Sequence, residues 1–225
     1  PNDAIDDPSL CEAFESSLAW RAPSAFTPQT VKWVSALCKL TGRSSYGLLL
    51  LVCTEPENQF NAEWLHQDLW PRPMPQRDAV WSAFLAEDDL SEGGAVESLI
   101  DWAWQVEARE VEERRLWLAA VTLTWFLSTS NRAVRDRATK ALVNLLSSKL
   151  DVAAALLDKF VNVADPYISE RLLAACYGAV MQGVDRAGCK AVASAVWMNH
   201  FANERKPPLN LLARDYAVGT LLYAQ

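Results

Sequence analysis

The side chains in this sequence that could do chemistry are few. His66 lies in "EWLHQDLW" with Glu63 three residues before it, and His200 follows in "WMNHF". A catalytic zinc needs three protein ligands at fixed geometry. One histidine and one carboxylate do not supply them, and HExxH is absent. Both histidines read as satisfied side chains on helices. No GxSxG, SxxK or Cys/His signature supports a nucleophile. "LTGRSS" at 40–45 is not the GxxxxGK[ST] loop that cradles phosphate. Glu87, Asp88, Asp89 and Glu92 cluster at a helix end and read as a solvated face. "EAREVEERR" at 107–115 alternates sign and suits pairs four residues apart.

The one dense basic run is "SNRAVRDRATKAL", from Ser130 to Leu142. Arg132, Arg135, Asp136, Arg137 and Lys140 follow directly on the apolar "LAAVTLTWFL". A phosphate-binding patch is one reading, and the charged turn of a structural repeat is another. The whole chain opposes the first. Its net charge is −7 and its pI about 4.9. Nucleic-acid affinity rests mainly on Lys and Arg neutralising phosphates.

The elements that must position these groups read as helices. The chain has 225 residues and only 8 glycines, with Leu and Ala abundant, a balance that favours helix over sheet. Pro8, Ser9 and Glu12 suggest a capping box. Thr27 and Pro28 start a helix that Gly42 stops. "SSYGLLLLVCTEP" reads as a buried helix, and at eight residues its apolar run "YGLLLLVC" is too short to span a bilayer. Asn61 caps "AEWLHQDLW", and "PRPMPQ" reads as a rigid connector. Gly93-Gly94 break the next helix. In all the chain reads as about eleven or twelve helices with short links, a packed all-α pattern. The sequence starts at Pro1 without Met, so we expect a piece of a longer protein. Five cysteines with no CxxC pair point to reduced core thiols and a cytoplasmic setting. No cofactor is expected.

Ten tryptophans stand out. Trp102 and Trp104 project about 200° apart on a helix, so they cannot share a face. Trp70, with Arg72 and Met74 in the Pro-rich connector, is the aromatic and cationic group we expect at an interface.

A repeat organises the second half. "TWFLSTSNRAVRDRATKALVNLL" aligns with "DKFVNVADPYISERLLAACYGAV" at an offset of 34 residues, pairing Val134 with Ile168, Ala138 with Leu172 and Ala141 with Ala175. "LNLLARDYAVGTLLYA" resembles a third copy. The turn "SNRAVRDRA" resembles that of the HEAT repeat, two antiparallel helices with a D/N-x-x-V-R turn. The fold this implies is all-α, with HEAT-like antiparallel hairpins stacked as an α-solenoid. Residues 1–110 would be an irregular helical region and 111–225 the repeats. Asn131, Arg135, Asp136 and Asp165 are then structural turn residues. Arg132, Arg137 and Lys140 are left on a solvent face for a partner.

Four longer phrases carry a wider resemblance: 56–85, "SLIDWAW", 123–146 and "DPYISERLLAACYGAV". They resemble the helical region downstream of the ATPase in large bacterial STAND-type (NACHT-type) NTPases, some of them antiphage. The resemblance implies a non-catalytic module. It would sense a protein ligand, often viral, and trigger oligomerisation of the parent protein. A generic HEAT-type adaptor, a nucleic-acid-binding domain built on the basic run, and a helical enzyme domain are the rival readings.

Overall fold

The computed structural model describes residues 13–14, 16–18, 20–41, 44–88, 93–202 and 207–224. The expected capping box at Pro8, Ser9 and Glu12 lies outside the described residues, as do Gly42, Asp89 and Glu92. Among the described residues there are twelve α-helices and no strand. They are α1 (Pro28–Thr41), α2 (Ser45–Leu50), α3 (Ala62–Leu69), α4 (Met74–Arg77), α5 (Ala83–Asp88), α6 (Ala95–Gln105), α7 (Glu113–Phe126), α8 (Arg132–Ser147), α9 (Leu150–Phe160), α10 (Pro166–Gln182), α11 (Arg186–His200) and α12 (Leu211–Tyr223). A π turn, Asp78–Ser82, joins α4 to α5. No described helix is long and apolar enough to cross a membrane.

Side-chain caps fix where the later helices begin. A helix leaves its first N–H groups without partners, and a short polar side chain satisfies them. Asn131 accepts from Ala133 and Val134, Asp165 from Tyr167 and Ile168, Asp185 from Ala187 and Gly188, and Asn210 from Ala213. Asn61 caps α3 by accepting from Glu63.

The expected long helix at "SSYGLLLLVCTEP" is shorter than the run of leucines suggests. It stops at Leu50. Val52 and Cys53 then donate to Leu49 and Leu50, tightening into turns, and Cys53 offers its carbonyl to Ala62. The connector "PRPMPQ" is also shorter than expected, because Met74, Pro75 and Gln76 are helical. Proline is tolerated there because a first-turn N–H has no intrahelical acceptor to lose.

From α6 onward the helices alternate between two rows. α6, α8, α10 and α12 pack side by side in one row, and α3, α7, α9 and α11 in the other. α7 on α8, α9 on α10 and α11 on α12 join the rows. One apolar core runs through the interior from Tyr46 to Ala217, across both halves of the chain, with a smaller cluster around Leu18, Val34 and Phe60. α7 sits deepest: every residue from Leu118 to Phe126 is buried. No single amphipathic face could explain that. A helix buried all round is central to its fold.

Candidate interaction surface

Trp70 ends α3 and leaves half of its surface in solvent (51%), with its ring stacked parallel to His66 at 6.3 Å. Arg72 folds back over the same helix end. Its Nε donates to the Asp68 carbonyl at 2.9 Å and its Nη2 pairs with Asp68 Oδ1 at 2.7 Å. Tyr46 donates its hydroxyl to the other Asp68 oxygen at 2.8 Å. Burial, with Asp68 beside it, pushes the Tyr46 phenol well up. Met74 opens α4 and is also exposed. The three side chains therefore flank one sharp turn, Pro71–Pro73.

Arg77 holds that turn from below. It is almost fully buried, its Nη1 donates to the Arg72 carbonyl at 2.8 Å and its Nη2 to the Ala164 carbonyl at 2.8 Å. The same Nη2 pairs with Asp165 Oδ2 at 3.3 Å, while the guanidinium lies 5.8 Å from the Trp125 ring centre. Asp165 meanwhile caps α10. Burial pushes its carboxyl up, against the pull of the Ile168 amide and of Arg77. Nothing in the sequence marks Arg77. It sits among polar residues in "PMPQRDAVW", and its partners are 87 and 88 residues away.

A second buried arginine does the same for the neighbouring turn. Arg135 donates from Nη1 to the Thr129 carbonyl, and its guanidinium lies 4.2 Å over the ring of Tyr167. Tyr167 is 44% exposed. The turns before α4, α8 and α10 thus make one edge. Trp70, Met74 and Tyr167 lie on its surface, and Arg77 and Arg135 fix it from inside.

The basic run of α8 divides. Arg132 is open to solvent, with only a loose contact to Asp136 at 3.4 Å. Lys140 stays exposed but lies 5.3 Å over the Trp104 ring. Arg137 is partly exposed and paired across the surface. Its Nη2 pairs with Asp101 at 2.7 Å and faces Glu97 at 3.6 Å, both on α6. Asp136 pairs with Arg171 of α10 at 2.7 Å, and Glu170 of α10 accepts from Asn210 at 2.8 Å. Charged and amide groups thus link each helix of this row to the next. Trp102 packs against the core while Trp104 is half exposed.

His66 and Glu63 are both engaged by neighbouring side chains. His66 Nδ1 accepts from Trp125 Nε1 at 3.2 Å, and its ring packs edge-on to Phe160. Burial, helped by the Lys159 charge, lowers its pKa to about 4, so it is neutral at pH 7. Glu63 is held by Lys159 (2.8 Å), Trp117 Nε1 (2.6 Å) and Arg114 (3.3 Å). Burial works to raise its pKa, but the hydrogen bonds from Lys159 and Trp117 and the nearby charges outweigh it, and the carboxyl falls below its usual range.

Clefts open on the surface among the described residues. One of about 370 Å³ lies between Arg109, Asn144, Ser148 and Gln182, and one of about 470 Å³ between Glu113, Trp117 and Asp151. Neither is lined by His or Cys. Among the described residues no group of three His, Cys, Asp or Glu is placed to hold a metal. Comparison with known proteins finds no matching family, no matching curated protein and no matching solved structure.

Proposed function

We propose that this chain is a protein-recognition module, a HEAT-like array of stacked helical hairpins that binds a protein partner along the edge of Trp70, Met74 and Tyr167. Its place is the ligand-sensing helical region of a larger STAND-type ATPase, with binding favouring the assembled state of the parent. The array reading is supported by the two alternating rows and by caps that recur with an acid five residues on, Asp136 after Asn131 and Glu170 after Asp165. The recognition reading is carried by one observation. Trp70 and Met74 are exposed on a turn that the buried Arg77 locks to the α9–α10 turn. Large exposed side chains held rigid lose little entropy on binding, and Trp is the side chain that most often anchors an interface.

Protein is a better fit than nucleic acid. Of the four cations in the α8 run, Arg135 is buried and Arg137 is paired, which leaves Arg132 and Lys140 as open charges. Phosphate binding sums over several such contacts.

The test is capture from bacterial lysate, before and after phage infection, with the intact chain and with Trp70→Ala and Met74→Glu. A phage protein captured by the intact chain, and lost by about tenfold or more in either variant, is the expected result. Capture that ignores both substitutions, or that follows only the salt concentration, overturns the reading.

A further inference from the structure

Arg77, Arg132, Arg135 and Arg171 lie in the opening turns of α4, α8 and α10. Three of them face an acid. Arg77 pairs with Asp165 at 3.3 Å, and Arg132 reaches Asp136 at 3.4 Å. Arg171 pairs with Asp136 at 2.7 Å and lies 3.4 Å from Glu170. Arg135 makes no ion pair with a described residue. Yet after Arg77 it is the most buried of the four, with 8% of its surface in solvent.

Its guanidinium is held in place without being neutralised. Nη1 donates to the Thr129 carbonyl, and the Tyr167 ring lies 4.2 Å away. Nε is sealed from solvent and has no hydrogen-bond partner among the described residues. Nη2 makes no hydrogen bond to a described residue and keeps a little solvent contact. A buried charge with no counter-charge is costly. The helix adds to the cost, because the first turn of α8 has no acid and its dipole favours negative charge there. The neighbouring acids are committed elsewhere. Asp136 ties α8 to α10, Glu170 ties α10 to α12, and Asp165 caps α10. One positive charge is therefore left over at this edge, in a chain whose net charge is −7.

We propose that Arg135 and Tyr167 receive one aspartate or glutamate side chain of the protein that docks on Trp70 and Met74. The carboxylate accepts from Nη2, and the half-exposed Tyr167 ring packs against the methylene beside it. A carboxylate brings the single charge that Arg135 is missing. A phosphate brings nearly two and is met by several donors, and the other three arginines are already engaged. Arginine and tyrosine are also the side chains that, with tryptophan, most often carry interface energy. The inference rests on the protein-recognition reading and names the chemistry that the partner brings to the same edge.

The test selects random displayed peptides on the intact chain and keeps those whose binding falls with Trp70→Ala. The expected binders carry an Asp or Glu. Changing that residue to Asn or Gln weakens binding about tenfold, Arg135→Gln weakens it equally, and the two changes together cost no more than either alone. A chain of net charge −7 repels acidic peptides in general, so enrichment of an acid reports a local site. The change in the peptide leaves the chain untouched, so the loss it causes stands even where Arg135→Gln perturbs the fold. Trp70-dependent binders that are indifferent to their acids overturn this inference and leave the edge. Phosphoserine binding more tightly than the acid it replaces overturns the carboxylate assignment. The absence of any Trp70-dependent binder removes both readings.

Discussion

Arg77 and Asp165 form an ion pair at 3.3 Å with only 2% of either side chain in solvent, although 88 residues separate them. Arg77 also satisfies two backbone carbonyls, and Asp165 also satisfies two backbone amides. The pair therefore joins the first part of the chain to the start of α10. Removing one partner of a buried pair strands the other charge. Arg77→Met is expected to cost about 3–5 kcal/mol in urea denaturation. Arg77→Met with Asp165→Ser keeps a cap on α10 and removes the stranded carboxylate, so it regains part of that loss. Equal losses in the single and the double variant would show that the charge pair itself contributes little.

The parts of this fold that could be read from the sequence are local ones. Asn61, Asn131 and Asp165 are short polar residues directly before apolar periodic runs, and each caps a helix. Val134, Ile168, Ala138 and Leu172, aligned at the repeat offset, are all buried. The exposure of Trp70 and Met74 was legible, because aromatic and thioether groups beside prolines stand out. What holds the Pro71–Pro73 turn was not. Arg135 was expected as a turn residue, but Arg77 is spelled like any surface cation, and only packing against partners 87 and 88 residues away turns it inward. The pairing of Arg137 was not legible either, since Asp101 lies on another helix. The π turn at Asp78–Ser82 has no sequence mark at all.

His66 sets a pH dependence. It titrates near 6.5 when exposed and at about 4 in the fold, chiefly because burial disfavours its charged form. As pH falls from 7 to 5 the unfolded chain binds a proton that the folded chain refuses, so stability drops. The loss from this group is about 2 kcal/mol over that interval and levels off below pH 4. Glu63, with its lowered pKa, adds its own loss only as pH falls below the usual carboxylate range. Urea titrations at pH 7 and 5 measure the drop. His66→Gln, which keeps an acceptor for Trp125, should remove most of it, and a drop unchanged in that variant assigns it to another group.

Cys53 and Cys176 are buried, and burial pushes both thiols up to about 12. Thiolate is the reactive form, so neither should be labelled in the native chain. In a Cys11→Ser background, Cys38, Cys53, Cys176 and Cys189 are expected to stay unreacted with a thiol reagent at pH 8 and to react in denaturant. Fast native labelling at Cys53 would mean that the turns between α2 and α3 open readily.

Gly178 tests whether the glycine contacts between neighbouring helices are specific fits. A methyl added there would come within 2.9 Å of one Val143 methyl and 3.4 Å of the other. Valine has one strongly preferred rotamer in a helix and cannot turn aside. Alanine gains roughly 1 kcal/mol over glycine in helix propensity, while overpacking costs about 1–3 kcal/mol. The clash should win, so Gly178→Ala lowers stability in the native background. With Val143→Ala the clash is gone and the same substitution should stabilise. That reversal of sign is the prediction, measured as a double-mutant cycle. If Gly178→Ala stabilises in both backgrounds, the helices slide to accept a methyl. The knob-over-glycine contact would then carry no specificity.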